Sequence, residues 1–128
     1  MRKSLENLNS RKPSGGRRVS MRARRKFEID RYPTEAVLGS PLTVTRRTRG
    51  NNIKTSLKTA NKANIWDPRS KKMTRAVITR VSKNPSNKDY ERRGVISKGA
   101  LIETEIGPAR VLSRPGQEGS VNAVLVDS

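Results

Sequence analysis

The chain has 128 residues, enough for one domain, and its 29 Lys and Arg against 11 Asp and Glu give a net charge of +18. It contains no Cys and no His, which excludes disulfides, thiolate nucleophiles, histidine general bases and structural zinc sites. A chain this basic is expected to hold a polyanion, and nucleic acid is the obvious candidate.

Positive charge and apolar residues are concentrated in different parts of the chain. Residues 1–31 hold eleven Lys and Arg against three acids and residues 61–94 hold ten against three, whereas residues 95–128 hold three against four. Leu, Ile, Val and Phe total 26, and eleven of them lie from Val95 onward. We therefore expect a basic arm over residues 1–26 and one β-rich domain over residues 27–128, with its core strongest in residues 95–126.

The first 26 residues are predicted to form an RNA-binding arm. Cations alternate there with Pro13, Gly15 and Gly16, and the few apolar side chains cannot offset the entropy of ordering the chain. The arm is therefore expected to be disordered in the free protein and to become ordered along phosphates. A solvated tail or an import signal is the alternative. The predicted phosphate-binding residues of the arm are Arg11, Lys12, Arg17, Arg18, Arg22, Arg24, Arg25 and Lys26.

A polar β-hairpin is expected next. β-Branched residues in 35–39 and 42–45, bounded by prolines and Gly39, predict two short strands. Residues 46–52 form a basic turn, and residues 53–59 form the return strand. The hairpin is polar on both faces, so it is expected to find burial against the C-terminal strands or a partner. Its candidate RNA-binding residues are Arg46, Arg47, Arg49 and Lys54.

The middle of the chain is predicted to contain a strong strand and the one helix of the domain. A turn over residues 67–70 follows a strand candidate at Ile65 and Trp66, and a strong strand covers residues 73–81. A short helix over residues 87–93 is expected to be capped by Ser86. The candidate RNA-binding residues on the flanks of this segment are Lys71, Lys72, Arg92 and Arg93.

The C-terminal part predicts strands over residues 100–106, 109–113 and 121–126, with a turn at Gly107-Pro108 and a loop over residues 114–119. The last strand is apolar enough to be buried on both faces. The fold class is therefore mainly β: a small β-barrel or rolled antiparallel sheet with one short helix. The side chains predicted to be buried are Ile102, Ile106, Val111 and Leu125.

No catalytic or base-reading site is predicted. Glu103 and Glu105 could in principle act as paired carboxylates, but no phosphate-binding loop or nucleophile motif accompanies them. A solvated or cation-paired strand face is the better interpretation. The four aromatic residues are scattered, and Trp66 beside Ile65 is expected in the core rather than as a platform for bases. We expect no enzyme activity, no cofactor, no metal and no small-molecule substrate.

Six runs of residues, in order, resemble small-subunit ribosomal protein eight of the eukaryotic and archaeal type. The resemblance covers essentially the whole chain, and its compact length is similar to that of archaeal members. Residues 98–104 and 114–117 are its most specific parts. The six runs are Arg25–Arg31, Arg47–Asn52, Ala63–Pro68, Asn84–Asn87, Val95–Thr104 and Ser113–Gly119.

The resemblance implies a structural role in the small ribosomal subunit in the cytoplasm, with ribosomal RNA and neighbouring ribosomal proteins as partners. The chain departs from the family pattern at Asp30, where Gly is usual, and at Gly50-Asn51-Asn52, where a Gly-Gly-Asn turn is usual. Asn51 tolerates a positive φ, so the turn is expected to be kept.

Two other classes of protein fit less well. An architectural DNA-binding protein also needs cations and no catalysis, but it would be expected to present an apolar wedge at the tip of a basic loop. The sequence shows no such wedge. A membrane-active or membrane-bound protein is not expected, because no segment predicts a basic amphipathic helix or an apolar run of spanning length.

Overall fold

The structure is a computed structural model that describes residues 10–23, 25 and 32–126. The chain divides into two compact units, Met1–Pro33 and Thr34–Ser128. The second unit consists of a closed five-stranded barrel and a four-stranded sheet, which confirms the mainly β prediction. No helix within the described ranges is long and apolar enough to cross a membrane.

Strands dominate the described part of the second unit, and the helices are short. A 3₁₀ turn over Arg49–Asn51 separates the second and third strands. The strands are β1 (Ala36–Leu38), β2 (Leu42–Arg47), β3 (Ile53–Ala60), β4 (Lys62–Asp67), β5 (Lys72–Lys83), β6 (Val95–Ile96), β7 (Leu101–Thr104), β8 (Gly107–Val111) and β9 (Asn122–Leu125), and the α-helices are α1 (Lys88–Arg92) and α2 (Pro115–Glu118).

The strands are divided between a four-stranded sheet and the barrel. The four-stranded sheet has the order β2-β3-β1-β6, in which β1 runs parallel to β3 and the other pairs are antiparallel. The barrel has the order β4-β5-β7-β8-β9. It closes where β9 pairs in parallel with β4, with Asn64 opposite Asn122 and Trp66 opposite Val124. Closure leaves neither β4 nor β9 with an open edge.

One hydrophobic core extends through both sheets. The barrel contributes small side chains alongside large ones, since a five-stranded barrel has a narrow interior. The core also includes residues from the middle of the chain, because the parallel closure packs this part against the end of the chain. That the core is strongest in residues 95–126 stays a prediction. The buried residues of this core are Ala36, Leu57, Ala60, Ala63, Ile65, Ala76, Ile78, Ile96, Ile102, Ala109, Val111, Val121 and Ala123.

The turn between β7 and β8 lies two residues earlier than predicted. Thr104 and Gly107 are Cα partners, so the turn consists of Glu105 and Ile106, and Gly107 and Pro108 belong to β8. Thr104 Oγ1 donates a hydrogen bond to the Gly107 carbonyl at 2.7 Å, which closes the turn. Ile106 is therefore 47% exposed, not buried.

The other predicted core side chains have mixed outcomes. Ile102 and Val111 are fully buried, as predicted, and Leu125 is partly buried against the core. Burial of the last strand on both faces is wrong: Ala123 is buried, but Asn122 and Val124 on the other face of β9 are only half-buried. Trp66 is likewise on the outside, 38% exposed, while its neighbour Ile65 is buried. In both places the barrel has one face toward solvent, and alternate side chains point to it.

The helices differ from the prediction in two details. Asn87, not Ser86, caps α1: its side-chain oxygen accepts a hydrogen bond from the Asp89 N–H at 2.9 Å. The predicted loop over residues 114–119 contains the short helix α2. Pro115 stands in its first turn, and Gly119 ends it with a left-handed φ of 74°, as is usual at helix ends.

Within the first unit, the described part of the predicted arm contains a tight turn. The Gly15 N–H donates to the Lys12 carbonyl at 2.9 Å, and Arg11 forms an isolated bridge with Arg17. The rest of the predicted arm, residues 1–9, 24 and 26, lies outside the described residues. Disorder of the arm in the free protein stays a prediction.

Two isoleucines four residues apart should respond very differently to truncation. Ile102→Ala should lower the free energy of unfolding by about 2–5 kcal/mol, because it opens a cavity in a closed barrel. Ile106→Ala, the matched control on the exposed turn, should change it by less than about 0.5 kcal/mol. Urea denaturation of both variants measures the difference. Equal losses would show that Ile106 packs in the core.

Gly116 in α2 should not tolerate a methyl group. A Cβ there would overlap the Thr34 carbonyl oxygen, so Gly116→Ala should destabilise the protein by about 1–3 kcal/mol or more. Helix propensity alone would instead favour Ala over Gly by about 1 kcal/mol, so the sign of the change is the test. Gly16→Ala, whose nearest neighbour is 3.9 Å away, is the control and should be nearly neutral. Thermal unfolding measures both.

Candidate nucleic-acid interface

The β2–β3 hairpin presents cations on both of its faces. Arg46 and Lys54 are Cα partners and share one face, while Arg47 lies opposite Ile53 on the other. Arg47, Lys54 and Arg49 in the connecting turn are exposed, and Arg46 is half-buried. Between Glu35 and Asp67 the sequence has six Lys and Arg and no acid. The structure thus brings four predicted cations together on a hairpin without internal neutralisation.

Hydrogen bonds fix the shape of the hairpin turn. Thr48 N–H donates to the Asn52 carbonyl at 2.7 Å, and the Asn52 side-chain amide donates to the Arg49 carbonyl at 3.1 Å. Gly50 and Asn51 have φ values of 72° and 62°, so the prediction that Asn51 accepts a left-handed conformation is confirmed. A rigid turn presents the neighbouring cations in a fixed arrangement, which lowers the entropic cost of binding.

The β4–β5 turn presents Lys71 and Lys72, both exposed. Asp67 lies in the same turn, where its carboxylate accepts hydrogen bonds from Ser70 Oγ at 2.7 Å and from the Arg69 N–H at 2.9 Å. These bonds hold the pKa of Asp67 below its usual range. The acid therefore stabilises the predicted turn, and one negative charge accompanies the two lysines.

Arg93 is engaged within the fold, unlike the cations of the hairpin. Its guanidinium bonds Glu35 at 2.7 Å and Asp89 at 2.9 Å, and lies 5.4 Å above the ring of Tyr90. The bond from Arg93 outweighs partial burial and holds the pKa of Glu35 below its usual value of 4.5. Arg92 is exposed and reaches Asp89 only at 3.4 Å. Arg93 therefore holds α1 against the start of β1, and fewer of its donors remain for phosphates.

Exposed cations also occupy the described part of the arm. The Arg11 guanidinium donates to the Gly15 carbonyl at 2.9 Å and so closes the turn described above. Arg24 and Lys26 lie outside the described residues. The exposed arm cations in the described ranges are Arg11, Lys12, Arg17, Arg18, Arg22 and Arg25.

The two strand glutamates form no catalytic pair. Glu103 makes a bidentate ion pair with Arg80 on the neighbouring strand, with contacts of 2.6 and 2.8 Å, and this partner holds the pKa of Glu103 below its usual range. Glu105 lies in the β7–β8 turn. The cation-paired interpretation is therefore confirmed for Glu103. Among the described residues no group of three or more acids lies close enough to hold a metal ion.

The outer face of β4 carries functional candidates that are not among the residues predicted from the sequence. Lys62, Asn64 and Trp66 alternate there with buried Ala63 and Ile65, and Arg75 on β5 is the Cα partner of Asn64. The signal was present as a period-two pattern, polar at 62 and 64 and apolar at 63 and 65. Trp66 obscures this pattern, because it is an apolar residue in the polar phase and is predicted in the core.

Known proteins resemble this chain along nearly its whole length. The family model described as Ribosomal protein S8e matches residues 6–126. The proteins named small ribosomal subunit protein eS8 from Sulfurisphaera tokodaii and Methanobrevibacter smithii are 46% and 43% identical over 91% and 92% of this chain, and the matches cover 91% and 94% of those proteins. The protein of the same name from Sulfolobus acidocaldarius is 43% identical over 92% of the chain and 93% of its own length.

The ion pair between Glu35 and Arg93 should contribute stability in a pH-dependent way. Because the pKa of Glu35 is lowered by folding, its contribution is present above about pH 4.5 and is lost as the pH falls through the folded value. Glu35→Gln should therefore be less stable than the unaltered chain at pH 7, and this difference should shrink toward pH 3. Glu105→Gln is the control. Denaturant unfolding at both pH values measures the differences, and a pH-independent loss for Glu35→Gln would contradict the assignment.

Proposed function

The chain belongs to the ribosomal protein S8e family, and from this we propose that it is a structural constituent of the small ribosomal subunit in the cytoplasm. It holds folded ribosomal RNA through contacts to phosphates and lies beside other ribosomal proteins. The family is one of structural proteins, and the chain is not an enzyme. The observation that best supports RNA binding is the acid-free hairpin, whose exposed cations have no counter-charge between Glu35 and Asp67.

The proposed mechanism is electrostatic. Each Lys or Arg that reaches a phosphate displaces a condensed counterion, and the release of these ions drives binding. Arginine forks suit phosphate oxygens because two parallel N–H groups can donate at once. The barrel provides the frame on which the hairpin is held. Such contacts position RNA and distinguish its shape, but they carry little information about base sequence.

The arm is proposed to add a second group of phosphate contacts. Its cations are exposed wherever they are described, and the sequence supplies only five large aliphatic or Phe residues before Thr34. A segment of this composition gains little by folding on itself, so ordering along RNA is the favourable outcome. We expect the arm to follow grooves between RNA helices, where packed phosphates would otherwise repel one another.

Neutralising the exposed hairpin cations should flatten the salt dependence of RNA binding. We expect the affinity of the unaltered chain for its ribosomal RNA to fall about 10³- to 10⁵-fold between 50 and 200 mM salt, as for six to ten phosphate contacts. The triple variant Arg47→Gln, Arg49→Gln and Lys54→Gln should reduce the slope of log affinity against log salt by up to about 2.7. Half-buried Arg46 is kept so that the fold is preserved. Fluorescence anisotropy of labelled RNA across the salt range measures the slopes.

A control variant with the same change in net charge distinguishes the effect of where the cations lie from the effect of total charge on RNA binding. Lys83, Lys88 and Lys98 are exposed and outside every predicted binding group, so replacing all three with Gln should change the slope much less. Equal slopes for the two triple variants would show that the hairpin has no special role. Equal affinity for duplex DNA at matched salt would instead favour an architectural DNA-binding protein.

A further inference from the structure

The outer face of β4 carries a row of three side chains, of which Lys62 and Trp66 are exposed and Asn64 is half-buried. Lys62, Asn64 and Trp66 lie on it at intervals of about 7 Å, since alternate residues of a strand share a face. Trp66 is 38% exposed, and its Cα partners are Met73, 64% exposed, and Val124. A barrel surface otherwise rich in charge thus holds a local apolar area around one indole ring.

A cleft opens beside the other end of this row. It has a volume of about 320 Å³, lies between the four-stranded sheet and the barrel, and has Leu57 and Val121 in its walls. Lys62, Asn64 and Arg75 also line it, and none of the described residues that line it is an acid. The volume is at the lower end for sites that hold a small organic ligand. Its charge is complementary to an anion.

Asn64 links the cleft to the indole. Its side-chain amide donates to Asn122 Oδ1 at 2.9 Å, across the seam where the barrel closes. This bond uses one of the two N–H groups of the amide, so the other N–H and the Asn64 carbonyl oxygen remain to contact a partner. Such an oxygen can accept a hydrogen bond from the amino group of an RNA base, as in other sites that bind single-stranded RNA.

We propose that this face binds two consecutive unpaired nucleotides of RNA. One base stacks on Trp66, and the next nucleotide enters the cleft with its phosphate between Lys62 and Arg75 and its base edge at Asn64. An exposed aromatic ring beside cations is the arrangement by which β-barrels bind single strands. The inference rests on the proposed function, RNA binding, and extends it from phosphates of folded RNA to unpaired bases.

Fluorescence of the single tryptophan tests the proposal directly, because Trp66 is the only one in the chain. The full chain is titrated with a single-stranded oligoadenylate and with a duplex RNA of equal length, at one salt concentration. Binding itself is followed separately by anisotropy of a dye on the RNA. We expect the single strand to quench Trp66 and the duplex to bind through the other cations without quenching.

Variants separate stacking from phosphate binding. Trp66→Ala should weaken single-strand binding roughly 5- to 140-fold, the range for loss of one base-stacking contact, while Trp66→Phe should retain most of it. Replacing Lys62 and Arg75 with Gln should reduce the salt slope for single strands by about 1.4, and replacing Lys83 and Lys88 should not. If Trp66→Ala fails to fold, the quenching experiment on the unaltered chain and the variant without Lys62 and Arg75 still test the proposal.

Several outcomes would overturn the inference. Single-strand binding seen by anisotropy without quenching would place the RNA elsewhere on the chain and leave the proposed function intact. Equal quenching by duplex would show that the face does not select unpaired bases. Quenching by an acidic peptide but not by RNA would identify a protein as the occupant. Binding of neither RNA by anisotropy would end both this inference and the proposed function.

Discussion

The parallel pairing of β4 with β9 is the contact on which the rest of the structure depends. It joins residues 58 positions apart, and the hydrogen bond between Asn64 and Asn122 lies on this seam. Without it the barrel would be an open sheet with two unpaired edges. Once it forms, Ile65 and Ala123 face inward and complete the core, while Asn64 and Trp66 face outward. The interior and the proposed binding face are therefore consequences of one closure.

The fold uses several of its few acids to stabilise itself. Glu35 and Asp89 hold Arg93, Glu103 holds Arg80, and Asp67 closes a turn. Exposed ion pairs of this kind are individually weak, but they occupy most of the described carboxylates within the scaffold. The hairpin itself contributes no acid, since none occurs in the sequence between Glu35 and Asp67.

The narrow barrel also explains why so basic a chain can fold with few large apolar residues. Alanines at 63, 76, 109 and 123 are all buried, and Ile65, Ile78, Ile102 and Val111 fill the remaining interior. Small side chains let the strands approach closely, so a limited apolar content still excludes water. Stability then depends on close packing at a few positions. Few surface positions therefore need apolar side chains, and most of them can carry Lys, Arg or other polar residues.

Much of the chain was predictable from local chemistry. The charge distribution, the alternation in several strands, the turn after Asp67 and the positive φ of Asn51 all depend on residues within a few positions of one another. The sequence alone therefore determined the mainly β class, the cationic candidates and the approximate positions of most strands, but not β6 or the β7–β8 turn. Which face of a strand is buried was decided by tertiary structure. In β4 the alternation of residues 62–65 favours burial of Ala63 and Ile65, but Trp66 adds an apolar side chain to the opposite phase. Pairing with β9, far along the chain, decides between the two. The same long-range closure formed the cleft at Lys62 and Arg75 and extended the core beyond residues 95–126, because such contacts leave no local pattern to read.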